Sequence, residues 1–485
     1  MVVLGHLGLE TVGNWVPAPG VVWLWHPAPA SLKKAQQAPI SDVPPSYIQA
    51  RHLRGYRDQA ARGFDMSRLV VAALDIRGQC DIRTMTYVIN THLRRHDTYR
   101  SWFEFTDTGC IVRHTMADPA DIEVIPVEHG AMTPNQWQDH ILATPSPLEW
   151  DCFRFAIIQR DDHFTFCISV DHLHVDAMFI SALFWEIQAM YNALMDGVGP
   201  LPLPSVGSYE DYCRRERAYT AALTLQSPEI RRWVEFFEGN GGSLPSFPLP
   251  LGDTSLVATG ELLSLRLLDA RQTARFEAAC TSAGARFSGG VFACAALTEY
   301  QLTGSGTYHA VTPTGTRSTP EEFVTTGWFI GHIPFVVDVG PSFDETARNA
   351  QASFDAGSPL ANVPFERVLE LAPWLVEQTP RRSGFPMLSF LDAGVPPLSA
   401  VIAMQLDKMN AKVFSDGRIA ARVCMWVNKF PNETTVTASF PNTPIAHQSV
   451  ARYLAQMKSV FAGVADGGGE ITVDRGGAQL QRQRL

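Results

Sequence analysis

Two imidazoles and two carboxylates share the short run Asp171-His172-Leu173-His174-Val175-Asp176-Ala177. A neutral imidazole can act as general base on an attacking hydroxyl, which is the chemistry of acyl transfer. The same residues read His172-x-His174-x-Asp176, a set able to hold a metal ion and activate water in a hydrolase. Ala177 follows the aspartate, so the loop offers no further ligand there. It also needs ligands from other loops, for which His309 and His332 are the spare candidates in the central chain. Spacing alone is a weak signal: His114 to Asp118 has the same His-x-x-x-Asp form, yet it runs into Pro119 with no apolar helix behind it.

The elements around the first match set it apart. His163 to Val170 alternates as a β-strand does, and Phe179, Ile180, Leu183, Phe184, Ile187, Met190, Tyr191 and Leu194 recur at helical spacing. A strand therefore feeds the loop and a buried helix leaves it, and rigid flanks of this kind place reacting groups. Other nucleophile and cofactor systems leave no trace. The chain has no Gly-x-Ser-x-Gly elbow, no Gly-x-x-x-x-Gly-Lys phosphate loop and no Gly-x-Gly-x-x-Gly.

A chain of 485 residues exceeds one ordinary core, so two domains of roughly 200 residues each are expected. Hydrophobic residues at 46% against 18% charged mark a globular chain rather than a disordered one. The net charge of -10 argues against a nucleic-acid role, because neutralising phosphates needs clustered Lys and Arg. No window approaches the ~20 consecutive apolar residues of a spanning helix, and the N-terminus lacks a signal-peptide pattern. Scattered cysteines without a CxxC pair read as reduced, buried thiols.

Residues 197–206 are rich in Gly and Pro and mark a linker. The expected domains are then 1–203, carrying the His172 loop, and 204–465, with a Gly-rich, disordered tail at 466–485. The first ~40 residues read as Pro-rich and irregular, anchored by Trp15, Trp23 and Trp25. Helices are predicted from Ser46 to about Arg62, over Asp81–Arg95, Tyr209–Ala222, Pro228–Phe237, Ala270–Ala283 and Gly289–Thr303, and finally one burying Val450, Tyr453, Leu454, Met457 and Phe461. Strands are predicted at 69–74, 102–105, 122–127, 308–312, 333–337, 420–427 and 434–440, which makes both halves α/β layered.

Several motifs occur in a recognisable order. They are Ser46-Tyr47-Ile48-Gln49-Ala50-Arg51, then Arg95-His96-Asp97-Thr98-Tyr99-Arg100-Ser101-Trp102-Phe103, then the His172 loop. Thr312 to Pro320 with Arg317, Gly327-Trp328-Phe329-Ile330-Gly331 and Val363-Pro364-Phe365-Glu366-Arg367-Val368 follow. In this order they resemble the condensation-domain superfamily of acyltransferases. The stretches Gln37 to Ser41, His92 to Tyr99 and Phe247 to Asp253 are similar to mycobacterial polyketide-associated acyltransferases that esterify trehalose. Where the superfamily has His-His-x-x-x-Asp-Gly, this chain has Asp171 for the first histidine and Ala177 for the glycine. Asp171 either tunes His172 or merely occupies a solvated position, and Ala177 implies a backbone that does not need positive φ.

The resemblance implies two chloramphenicol-acetyltransferase-like domains in a V with the active site in the interdomain cleft. It implies a long-chain acyl thioester, acyl-CoA or carrier-bound, as donor, a trehalose-type acceptor, and no metal or redox cofactor. His172 is then the general base. Asp176 is structural and orients the loop by pairing with an arginine of the second domain, for which Arg317 is the candidate. His174 is read as a packing or hydrogen-bonding residue. A polyketide synthase or lipid transporter is the implied macromolecular partner. The location is cytoplasmic or peripheral at the inner face of the plasma membrane, where Trp23-Leu24-Trp25 is one contact if it is not a buried strand. The rival readings are a non-catalytic lipid- or synthase-binding module of the same fold and, more remotely, the metallohydrolase using His172, His174 and Asp176.

Overall fold

The strand His163–Asp171 is central because both of its edges are taken. It pairs antiparallel with Leu69–Arg77 on one side and with Phe153–Gln159 on the other. With the ladder satisfied on both edges its apolar residues face packed layers, and Phe164, Phe166, Ile168 and Val170 are fully buried. In the computed structural model, which describes residues 9–253, 258–375, 387–395, 409–418 and 420–467, this strand belongs to a seven-stranded sheet. The strand order is Leu9–Thr11, Lys412–Ser415, Leu69–Arg77, His163–Asp171, Phe153–Gln159, Val21–Pro27, Val124–Ala131. Neighbours pair antiparallel except Leu9–Thr11 with Lys412–Ser415. Trp15, Trp137 and Ile141 pack on Val22, Leu24, Ala156, Ile158 and Phe414 of this sheet.

A second, six-stranded sheet runs Ile330–Asp338, Thr307–Gly315, Met387–Asp392, Cys424–Lys429, Glu433–Pro441, Gly260–Asp269. Its core is filled by the helices Phe287–Thr303 and Pro444–Ala465, through residues such as Phe292, Leu297, Leu454 and Phe461. The face predicted for the last helix is the buried one: Val450, Tyr453, Leu454, Met457 and Phe461 are at most 1% exposed.

Two compact units result, each α/β as expected, but they are not the contiguous halves 1–203 and 204–465. One gathers the described residues of Met1–Ala222, Thr316–Ile330 and Val395–Ile419; the other gathers Leu223–Gly315, Gly331–Gly394 and Ala420–Leu485. The helix Tyr209–Ala221 stays with the first unit because Asp97 caps it. The Asp97 carboxylate accepts from Ser208 Oγ at 2.6 Å, Tyr209 N–H at 2.9 Å and Glu210 N–H at 3.2 Å. A carboxylate at a helix N-terminus satisfies otherwise orphaned N–H groups. Beyond Gly467 the expected tail lies outside the described residues.

Most predicted helices lie within a few residues of the observed ones, among them Tyr47–Ala60, Ile82–Arg95, Pro228–Gly239 and Ala270–Ser282. The N-terminal region is not irregular. It holds the strand Val21–Pro27 and the helix Pro29–Gln36. Pro27 ends the strand and Pro29 opens the helix, two places where a missing N–H costs little. Leu24 and Trp25 are buried in that strand, as the second explanation of the tryptophan run required. All eight cysteines are free thiols, with Cys110 exposed. Among the described residues no helix is long and apolar enough to cross a membrane.

Candidate functional site

At the end of the central strand the chain turns sharply. Asp171 N–H donates to Cys152 O at 2.9 Å and His172 N–H to Arg68 O at 2.8 Å. A single 3-10 turn, His172–His174, leads to Asp176, which caps the helix Ala177–Met195 by accepting from Met178 N–H at 3.0 Å. Ala177 is the first residue of that right-handed helix, so a glycine is not needed there. The helix buries Phe179, Ile180, Leu183, Phe184 and Ile187, which fixes the loop at its far end.

Asp176 is almost wholly buried and meets Arg317 in a two-point pair, Nη1 to Oδ2 at 2.5 Å and Nη2 to Oδ1 at 3.1 Å. Phe329 N–H adds a bond to Oδ2 at 3.0 Å. The Arg317 fork is itself held, by the carbonyls of Glu322 at 2.8 Å and Thr325 at 3.1 Å and by the face of Phe329. The paired geometry and the extra donors meet the hydrogen-bonding demand of a buried carboxylate. Arg317 lies in Thr316–Ile330, within the same compact unit as Asp176, and not in a second domain as expected. That segment is tied there by the Glu322–Arg215 ion pair, by Thr326 N–H to His96 Nδ1 at 3.2 Å, and by Phe329 packed on Tyr209 and Tyr212.

The His172 ring is half-buried and lies against Trp328, with centroids 4.1 Å apart and planes at 32°. Nδ1 is shut off from solvent and has no hydrogen-bond partner among the described residues. Burial is the largest cause pushing the ring's pKa well below 6.5; His52 acts in the same direction, and the residue's own backbone and Asp171 oppose it. A ring in that state is neutral at physiological pH, the form a base requires.

Asp171 does not sit in solvent. It is fully buried and accepts from His52 Nε2 at 2.7 Å, Leu173 N–H at 2.9 Å and Arg68 Nη1 at 2.8 Å. Burial alone would raise its pKa; His52, Arg68 and the Leu173 N–H overcome this and hold it down at about 2. His174 is likewise a framework residue. Its Nδ1 bonds Thr98 Oγ1 at 2.8 Å, and burial lowers its pKa to about 4. Both Asp176 oxygens face a guanidinium, and among the described residues His172, His174 and Asp176 do not form a group whose ligand atoms converge.

The one group of described residues with ligand-like spacing is His92, His96 and Glu186, and it does not fit a cation. Glu186 accepts from His92 Nδ1 at 3.2 Å, Arg95 Nε at 3.2 Å and His96 Nε2 at 3.3 Å. Because His96 Nδ1 accepts the Thr326 N–H, its proton must lie on Nε2, which then donates to Glu186 and has no lone pair for a metal. Burial would raise the Glu186 pKa; its histidine partners hold it below the usual carboxylate range. The cluster is a buried brace on the helix that leaves the His172 loop.

The quoted motifs now have places. Ser46 and Gln49 form a capping box on Tyr47–Ala60, and Gln49 Nε2 also donates to Leu173 O at 3.0 Å. Arg95 and His96 serve Glu186, Asp97 caps a helix, and Thr98 holds His174. The family model for the condensation domain matches residues 64–378. The chain belongs to the condensation-domain family. Over 460 residues it is 56% identical to the trehalose-2-sulfate acyltransferase PapA2 of Mycobacterium bovis (strain BCG / Pasteur 1173P2), covering 95% of this chain and 97% of that one. It is 50% identical over 474 residues to the acyltransferase PapA3 of Mycobacterium tuberculosis (strain CDC 1551 / Oshkosh), covering 98% and 100%. A solved structure, the PapA2 acyl transferase, superposes with a TM-score of 0.92 at 55% identity, over 95% of this chain and 100% of that one. The family and fold read from the motifs are thus borne out.

In this condensation-family chain His52, Arg68 and Trp328 touch the loop or its ring, yet sequence reading gave them no role. Trp328 stands inside a quoted motif. His52 and Arg68 carry no local signal, because their partner is more than 100 residues away in the chain. Gly327 has a steric reason: a Cβ there would lie 2.4 Å from the Tyr209 ring and 2.7 Å from that of Phe329. Gly327→Ala should therefore destabilise the protein by about 1–3 kcal/mol, seen as a lower urea midpoint. An unchanged midpoint would show that the Tyr209 ring yields freely.

Proposed function

We propose that this enzyme moves a long-chain fatty or polyketide acyl group from a thioester to a hydroxyl of trehalose or a trehalose glycolipid, in cell-envelope lipid biosynthesis. The observation that carries this is near-full-length identity, at half or more of all positions, to relatives named as acyltransferases, one of them for trehalose-2-sulfate. A hydroxyl of the acceptor attacks the thioester carbonyl while His172 takes its proton at Nε2. The tetrahedral intermediate collapses, the C–S bond breaks, and the thiolate recovers the proton from the imidazolium. Ester and free thiol are the products, so thioester cleavage drives the reaction and no metal or redox group is required. A positioned base is worth about 10²–10⁴-fold, and holding donor and acceptor together adds the proximity contribution. Asp176 and Arg317 keep the loop in place without touching substrate.

The donor is acyl-CoA or a carrier-bound thioester, in the second case with a polyketide synthase as partner, and the reaction is assigned to the cytoplasm or the inner face of the plasma membrane. A binding module of the same fold would have no use for His172, Asp176 and Arg317 together. The test is transfer from radiolabelled palmitoyl-CoA to trehalose and, in parallel, to trehalose-2-sulfate, with EDTA present throughout. Labelled glycolipid from either acceptor is expected. Absence of product with both acceptors, or activity lost in EDTA and restored by zinc, would overturn the reading.

A further inference from the structure

Asp171 stands where the family has a histidine, and both of its oxygens are already committed. Oδ1 takes His52 Nε2–H and Leu173 N–H, and Oδ2 takes the Arg68 guanidinium. The buried Nδ1 of His172 has no hydrogen-bond partner among the described residues, so Asp171 does not act as the acid of a triad. What it does hold is the His52 ring. A carboxylate only accepts, so the 2.7 Å contact fixes Nε2 as the donor and sets the tilt of the imidazole. That ring meets Trp328 edge-on, with centroids 5.3 Å apart and planes at 81°. Trp328 in turn lies against His172 at 4.1 Å. On its other side Trp328 is fixed through its carbonyl, which accepts from Tyr209 Oη at 3.1 Å.

We propose that His52 is a positioning residue for the base: locked by Asp171, it braces Trp328 against the His172 ring. Nδ1 of His172 is buried without a hydrogen bond among the described residues to fix the ring's plane, so packing does so, and Trp328 is its aromatic partner at 4.1 Å. The edge-on contact of His52 is the favourable arrangement for two aromatic rings. Without it Trp328 can rotate away, and His172 loses the orientation on which proton transfer depends. Arg68 serves the same end twice, its guanidinium fixing Asp171 and its carbonyl fixing the His172 N–H at 2.8 Å.

This inference rests on His172 being the base, so His172→Ala is assayed beside the new variants, using palmitoyl-CoA with whichever trehalose acceptor the native protein acylates. In His52→Ala we expect kcat to fall about 10- to 100-fold, the scale of a misplaced catalytic group, with KM for palmitoyl-CoA within about threefold because no substrate contact is removed. His52→Phe keeps the ring but not its lock, and should fall between the two. Trp328→Leu should lose as much as His52→Ala, and the double variant no more than Trp328→Leu alone, since both changes remove one brace. Thermal melts verify folding, and if His52→Ala does not fold the cycle is run with His52→Phe. A kcat for the folded His52 variant within about twofold of native, beside an inactive His172→Ala, overturns the brace and leaves the base standing. So do multiplicative losses in the double variant. A fully active His172→Ala overturns both.

Discussion

Arg317→Ala is expected to cost about 3–5 kcal/mol of stability, the range for removing one partner of a buried ion pair. The reason is what remains behind. Asp176 is 3% exposed, and without the guanidinium it keeps, among the described residues, the N–H groups of Met178 and Phe329, two neutral donors for a carboxylate. Truncation also frees the carbonyls of Glu322 and Thr325 from the fork and strips the cation from the Phe329 face. Urea unfolding followed by tryptophan fluorescence reads the loss. Arg317→Lys should fall between, because an ammonium restores charge but cannot span both oxygens. The paired change Asp176→Asn with Arg317→Met should recover part of the loss, since no orphan charge is left. If Arg317→Ala unfolds at the native urea concentration, the pair does not hold the loop. Activity should fall with stability, because Asp176 is also the cap of the helix that leaves the His172 turn.

The site was legible in the sequence to the extent that its chemistry is local. The alternating run before Asp171 and the helical spacing after it predicted the strand, loop and helix that the fold contains, and the same reasoning gave most other helices. The Asp176–Arg317 contact joins residues 141 apart in the chain, and no periodicity announces such a pairing; it was reached through motif resemblance. Asp171 shows the limit clearly. Next to a catalytic candidate an aspartate reads as easily solvated or tuning, whereas its three partners come from three separate places: His52, Arg68 and the turn itself. The N-terminal strand Val21–Pro27 was missed for another reason. Surrounding prolines argue for irregular chain, but tertiary pairing on both edges outweighs local composition. Residues 197–206 are breaker-rich but do not divide the two units: the first continues to Ala222, because a buried carboxylate at Asp97 draws the next helix back.

His172→Ala should lower kcat by about 10²–10⁴-fold while leaving the melting temperature close to native. The two effects separate because the ring is half-buried and its Nδ1 makes no hydrogen bond among the described residues, so removing the ring breaks none of the polar network around Asp171. The native pH profile of kcat/KM carries the sharper test. Burial and His52 lower the pKa of His172 from 6.5, and the neutral ring is the active form. The rate must then stay level as pH falls from 7 through 6.5 and decline only where the lowered pKa is crossed. Its acid limb accordingly lies below that of a solvated imidazole. A limb at or above 6.5 would mean that the ring is hydrated in the free enzyme, and the stacked contact with Trp328 would then not be the arrangement from which the base acts. A loss of stability in Arg317→Ala that is absent in His172→Ala is what separates a residue that holds the loop from one that performs the chemistry.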